Sequence, residues 1–176
     1  MIGKSGSGRA LLCQILSHAL NIEFETFNIS YSYNSKSFRK ELRRIIEIAG
    51  VQNKKVLMFM EEQHIVESSF LEDINSLLSS NEVSGLFGAE EIDFLLKDQA
   101  DEIRNQFYGS SIQESFKLRI ESNLKVVLSM DSSSEKLESY LTNNPAILKK
   151  CDIYWMRPFA NETLKQLAQF KLQPRF

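Results

Sequence analysis

Two kinds of hydrophobic pattern alternate along the chain. In RALLCQILSHAL, residues 9–20, Ala10, Leu11, Ile15, Leu16, Ala19 and Leu20 recur at helical spacing, and Asn21 follows as a stop signal. IEFETFNIS, residues 22–30, alternates in the manner of a short strand. SKSFRKELRRIIEIAG, residues 35–50, is an amphipathic helix with Phe38, Leu42, Ile45, Ile46 and Ala49 on one stripe. Gly50 stands where a left-handed C-terminal residue belongs. KKVLMFMEEQ, residues 54–63, is a continuous apolar run closed by two carboxylates, the pattern of a strand covered on both faces.

The second half repeats the alternation. Residues 67–87 predict a helix with Phe70, Leu71, Ile74, Leu77 and Leu78 inward and a turn near Gly85. Residues 88–108 read as a charged helical insertion, and 111–123 as another helix. LKVVLSMD, 124–131, is a second buried strand. Residues 132–151 hold helical turns broken at Asn143-Asn144-Pro145, and CDIYWMRP, 151–158, is a third candidate strand stopped by Pro158. A last helix spans 161–172, with Asn161 as its N-cap. Strands alternating with helices predict an α/β fold with a parallel sheet covered on its faces.

Composition narrows this picture. The chain has 176 residues, enough for one domain with a real core, and a formal net charge of −2, which speaks against bulk capture of nucleic acid or an anionic membrane surface. Apolar runs stay below the roughly 18 residues of a membrane-spanning helix. Cys13 and Cys151 have no CxxC partner, and His18 and His64 no accompanying ligand cluster; all four read as structural residues of a cytosolic protein.

The candidate chemistry begins at the N-terminus. Gly3-Lys4-Ser5-Gly6-Ser7-Gly8 keeps the G-x-x-x-x-G spacing of a phosphate-binding loop and runs straight into a helix. Glycines let successive backbone N–H groups turn inward onto phosphate oxygens, and the helix start adds unpaired N–H groups. Where such a loop continues with Lys and a hydroxyl, this chain has Arg9 and Ala10. Arg9 keeps the charge in a flat, forked form, and Ala10 has no hydroxyl to give to Mg²⁺. Glu61 and Glu62 close the first buried strand, at the place where carboxylates hold the water shell of Mg²⁺ and polarise an attacking water. Glu62 has the type of a water-activating base; Glu61 is one methylene longer than the Asp usual in its position. Asp131 ends the LKVVLSMD strand, either facing the terminal phosphate or capping the D-S-S-S turn. No direct protein ligand to a metal is predicted.

The segments GKSGSGR, SFLEDINSLLSSNEVSGLF, LKVVLSMD and NPAILKKCDIYWMRPF together resemble the fourth AAA+ module, the D4 region, of dynein heavy chains. Arg9, the Glu61-led strand end and the Met130-Asp131 step look closest to the intraflagellar-transport, cytoplasmic type 2, heavy chain. The resemblance implies a P-loop NTPase (AAA+) αβα large subdomain within a ring of six modules. It implies ATP or ADP as ligand, with Mg²⁺ at a weakened site and a regulatory role in a microtubule motor. It also implies neighbouring AAA+ modules of the same heavy chain as partners, microtubules reached indirectly, and a place in the cytoplasm, the cytoskeleton and the cilium. Arg9, Ala10, Glu61 and Asp131 depart from the active pattern, so slow or absent hydrolysis is expected. Two other readings stay open: an active P-loop ATPase of another class, and a nucleotide-free scaffold.

In such a fold the loop follows a central strand and a helical lid comes later. Only Met1 and Ile2 precede Gly3, so the expectation is a single partial subdomain, residues 1–176, without that strand or the lid, and marginally stable.

Overall fold

The computed structural model describes residues 1–100, 103 and 109–172. Its sheet has five parallel strands: β1 (Ile2–Gly3), β2 (Glu23–Thr26), β3 (Val56–Glu61), β4 (Leu124–Asp131) and β5 (Trp155–Met156), in the order β2-β3-β4-β1-β5. Helices α1 (Arg9–Ala19), α2 (Ser35–Gly50), α3 (Ser68–Ser80), α4 (Ala89–Leu95), α5 (Ile112–Asn123), α6 (Leu137–Asn143), α7 (Pro145–Lys150) and α8 (Asn161–Leu172) lie between and after the strands. The predicted parallel α/β architecture is present.

Of the central strand expected to be absent, two residues are present. Ile2 and Gly3 pair with Met130 and Asp131 of β4 on one side and with Trp155 and Met156 of β5 on the other. Six of the eight residues of β4 lie beyond the reach of β1, and an apolar groove of about 710 Å³ opens beside them, lined in part by Met1, Leu12, Leu16, Leu124, Val126 and Leu128.

The core sits around α2 and α3. Phe38, Leu42, Ile45, Ile46 and Ala49 are all buried, as their stripe predicts, and so are Phe70, Leu71, Ile74 and Leu77. Phe38 stacks on Phe70 at a centroid distance of 4.3 Å and on Phe27 at 5.0 Å. Arg39 grips Asp73 through two hydrogen bonds of 2.9 and 2.8 Å, tying the two helices together. Beneath them β3 is buried on both faces, with Val56, Met58, Phe59 and Met60 inaccessible.

Several local expectations change. Gly50 is helical and not left-handed; an added Cβ would stand 2.3 Å from the Phe116 ring, so glycine is there for close packing of α2 on α5, while Asn53 (φ 53°) takes the left-handed turn. The expected stripe of α1 is not covered: Cys13 and Ser17 are buried, but Leu11, Ile15 and Leu16 are exposed, because β1 is too short to run beneath them. The strand expected over 151–158 shrinks to Trp155–Met156. Asn161 is the first residue of α8, and the carbonyl of Ala160 opens the helix by accepting from Leu164 N–H. The expected insertion begins with α4 and a 3-10 turn at Lys97–Gln99; apart from the buried Ile103, its residues 101–108 lie outside the described residues. Cys13 and Cys151 are free thiols, the first buried and the second half-buried.

Candidate functional site

The carboxyl ends of β1, β3 and β4 lie side by side, because all three strands are parallel and adjacent in the sheet. Ligands of open α/β sheets bind at this edge. Gly3, Glu61 and Asp131 are the terminal residues of these strands, so three sequence segments far apart in the chain deliver their chemistry to one place. A cavity of about 650 Å³ opens there, and Ser5, Arg9, Glu61, Glu62, Ser129 and Asp131 are among its lining residues.

The loop that leaves β1 has the backbone its glycines predict. Gly6 and Gly8 take φ of 79° and 77°, a region that side chains strongly disfavour. Gly8 is doubly constrained, since a Cβ would also stand 2.6 Å from the Phe159 ring. Ser7 N–H donates to the Lys4 carbonyl at 3.3 Å, and Leu12 N–H returns to Gly8 at 2.9 Å to start α1. The amides of Gly6, Gly8, Arg9 and Ala10 donate to none of the described residues. They stand at the N-terminus of an 11-residue helix with no acidic residue in its first turn, a combination that favours an anion.

Arg9 is turned inward. Its Nε donates to Ser129 Oγ at 2.7 Å, and its Nη1 donates to the Lys4 carbonyl at 2.8 Å, to Ser7 Oγ at 3.1 Å and to the Gly3 carbonyl. The guanidinium thus braces the loop from below, while still bordering the cavity. Its partner Ser129 was not singled out from the sequence. The available signal was a lone hydroxyl in the apolar run LKVVLSM.

The carboxylates form a second layer. Glu62 follows β3 in a 3-10 turn; its Oε2 accepts from Asp131 N–H at 2.8 Å and its Oε1 from Ser134 Oγ. Glu61 accepts from Gln63 Nε2 at 2.7 Å. Asp131 Oδ1 accepts from Ser133 N–H at 2.8 Å, and its Oδ2 from Ser5 N–H at 3.1 Å. Asp131 thus caps the D-S-S-S turn, and its second oxygen is taken by the loop amide of Ser5. The Ser133 amide above all, with the Ser5 amide and Arg9 adding to it, holds the Asp131 carboxyl below its ordinary range. Burial pushes the Tyr140 phenol up, and the Glu62 charge adds to that.

Of the expected site residues, Ser5, Arg9, Glu61, Glu62 and Asp131 line the cavity, while Gly3, Gly6, Ser7 and Gly8 belong to the adjoining loop without lining it. Lys4 is exposed and Ala10 half-buried; neither lines the cavity. Ser134, Lys136 and Tyr140 join the lining without having been singled out beforehand. A phosphate chain fits the unpaired amides at the start of α1. For Mg²⁺ the fit is poor: Ala10 has no donor atom, and among the described residues no group of three His, Cys, Asp or Glu is arranged to hold a metal ion.

Comparison with known proteins agrees with this geometry. A family model described as the P-loop containing dynein motor region D4 matches residues 1–175. Cytoplasmic dynein 2 heavy chain 1 of Homo sapiens is 36% identical over 172 residues, covering 96% of this chain and 4% of the relative. The protein of the same name from Chlamydomonas reinhardtii is 37% identical over 175 residues, 98% of this chain and 4% of the relative. The cytoplasmic dynein heavy chain of Dictyostelium discoideum is 31% identical over 174 residues, again 4% of its length. The chain thus spans a small part of the length of these relatives. With a phosphate-loop backbone at the carboxyl edge of a parallel sheet, and a family match over nearly every residue, this chain belongs to the P-loop containing dynein motor region D4 family.

Proposed function

We propose that the chain is a regulatory AAA+ nucleotide-binding module of a dynein heavy chain, one that binds ATP or ADP and hydrolyses ATP slowly or not at all. The observation that carries this reading is the set of loop and helix amides at Gly6, Gly8, Arg9 and Ala10, which donate to none of the described residues, beside a cavity lined by Ser5, Arg9 and the strand-end carboxylates. These amides and the α1 dipole supply the attraction for phosphates. Glu62 is the group nearest in type to a water-activating base, but both of its oxygens already accept hydrogen bonds from Asp131 and Ser134. With Ala10 unable to ligate Mg²⁺ and Arg9 engaged with loop carbonyls, the groups that would place metal and water are weak. Phosphoryl transfer depends on that placement far more than binding does.

Neighbouring AAA+ modules of the same heavy chain are the partners this reading implies, with microtubules reached through the rest of the motor. The relatives named cytoplasmic dynein 2 support a place in the cytoskeleton and the cilium. A nucleotide-free scaffold is the second reading, favoured by the Ser5 amide being taken by Asp131. Titration of the chain with a fluorescent ATP analogue, followed by a phosphate-release assay, separates the readings. Saturable binding with phosphate release near background is expected. Brisk release overturns the hydrolysis claim, and no binding at millimolar nucleotide leaves the scaffold.

A further inference from the structure

Asp131 occupies a position that a phosphate would want. The Ser5 amide carries a single proton, and that proton is directed to Asp131 Oδ2 at 3.1 Å. Ser5 is also the loop residue that borders the cavity on the side of Glu61, Glu62 and Asp131, whereas the free amides of Gly8, Arg9 and Ala10 belong to the start of α1. A phosphate chain anchored on the α1 amides therefore meets the carboxylate layer with the phosphate farthest from the helix.

We propose that Asp131 is a specificity-determining residue of the nucleotide site: its carboxylate competes for the Ser5 amide and penalises a third phosphate over a second. This rests on the nucleotide-binding reading above and deepens it.

The arrangement gives the competition a fixed geometry. Asp131 is pinned from two sides, by Ser133 N–H on its other oxygen and by its own N–H donating to Glu62 Oε2. Glu62 is in turn held by Ser134. The carboxylate cannot swing away without giving up the Ser133 amide. Arg9 and Lys136 are the cations of the cavity lining, and Arg9 directs its Nε to Ser129 and its Nη1 to Ser7 and the carbonyls of Gly3 and Lys4. A terminal phosphate would bring two negative charges into a cavity lined by the carboxylates Glu61, Glu62, Asp131 and Glu135, and like charges there repel.

The test compares affinities for fluorescent analogues of ATP and ADP in the wild-type chain and in Asp131→Asn, Asp131→Ser and Asp131→Glu. Removing the charge with Asn or Ser is expected to tighten ATP binding about tenfold and ADP binding by less than about threefold. Glu, which keeps the charge, is expected to leave the ATP-to-ADP preference near that of the wild type. Circular dichroism melts identify any variant that fails to fold, and Asn, which retains an oxygen for Ser133 N–H, is the most conservative of the set. Equal tightening of both nucleotides, or none, overturns the proposal while leaving nucleotide binding intact. Absence of binding by the wild type and every folded variant overturns the nucleotide-binding reading and this proposal with it.

Discussion

Gly8 shows how much one residue carries. It has the left-handed φ that lets the loop amides turn inward, and it leaves room for Phe159, which packs directly over it. Gly8→Ala is expected to lower stability by about 1–2 kcal/mol for the backbone alone, with more for the contact at 2.6 Å. The double variant Gly8→Ala, Phe159→Ala removes the contact but not the backbone term. Urea unfolding should therefore show only partial recovery on going from the single to the double variant, once the cost of Phe159→Ala alone is subtracted. Full recovery would mean that the left-handed backbone contributes nothing. The glycine pattern was legible in the sequence because φ > 0 is a local demand. The direction of Arg9 was not, since its acceptors Ser129 and Gly3 lie on two different strands.

At the scale of elements, the junction of β3 with the 3-10 turn is held by His64. The Glu61 N–H donates to His64 Nδ1 at 3.2 Å, so that nitrogen carries no proton. Burial pushes the imidazole below its ordinary value of 6.5, with Glu61 and Glu41 opposing the shift in part. The folded state then binds fewer protons than the unfolded chain as pH drops below 6.5, so stability falls with pH through that window and levels off below the folded-state value. Urea midpoints measured at pH 7.5 and about 5.5 should show the loss. His64→Gln, which still offers an oxygen acceptor, should show less of it. An unchanged pH slope in the variant would rule out His64 as its source. From the sequence His64 was merely a histidine without ligand partners; its role needs the turn that brings residue 64 back to residue 61.

For the whole molecule, stability concentrates where α2 and α3 meet. Phe38 is fully buried and stacks on both Phe70 and Phe27, joining two helices to the segment after β2. Phe38→Ala is expected to cost about 3–5 kcal/mol, a large share of the roughly 5–15 kcal/mol of an ordinary domain. A urea midpoint close to that of the wild type would show that the stack is not central. The opposite side of the sheet is thinner, since β1 reaches only the last two residues of β4 and the apolar groove lies open beside the rest. Helix α2 and strands β3 and β4 were legible with near-correct limits, because burial on one stripe or on both faces writes a periodic pattern into the residues themselves. The exposed face of α1, the shortened β5 and the two-residue β1 were not, because each depends on which neighbour is present in the sheet. The sequence by itself determined the alternation of helices and strands after the loop, the phosphate-loop backbone and the family, all set by local conformational demands and short-range spacing. Only the tertiary structure decided that Arg9 braces the loop and that Asp131 takes the Ser5 amide. Two of the contacts that set this, Arg9 to Ser129 and Ser5 to Asp131, join residues more than a hundred positions apart, which the parallel pairing of β1 with β4 brings together.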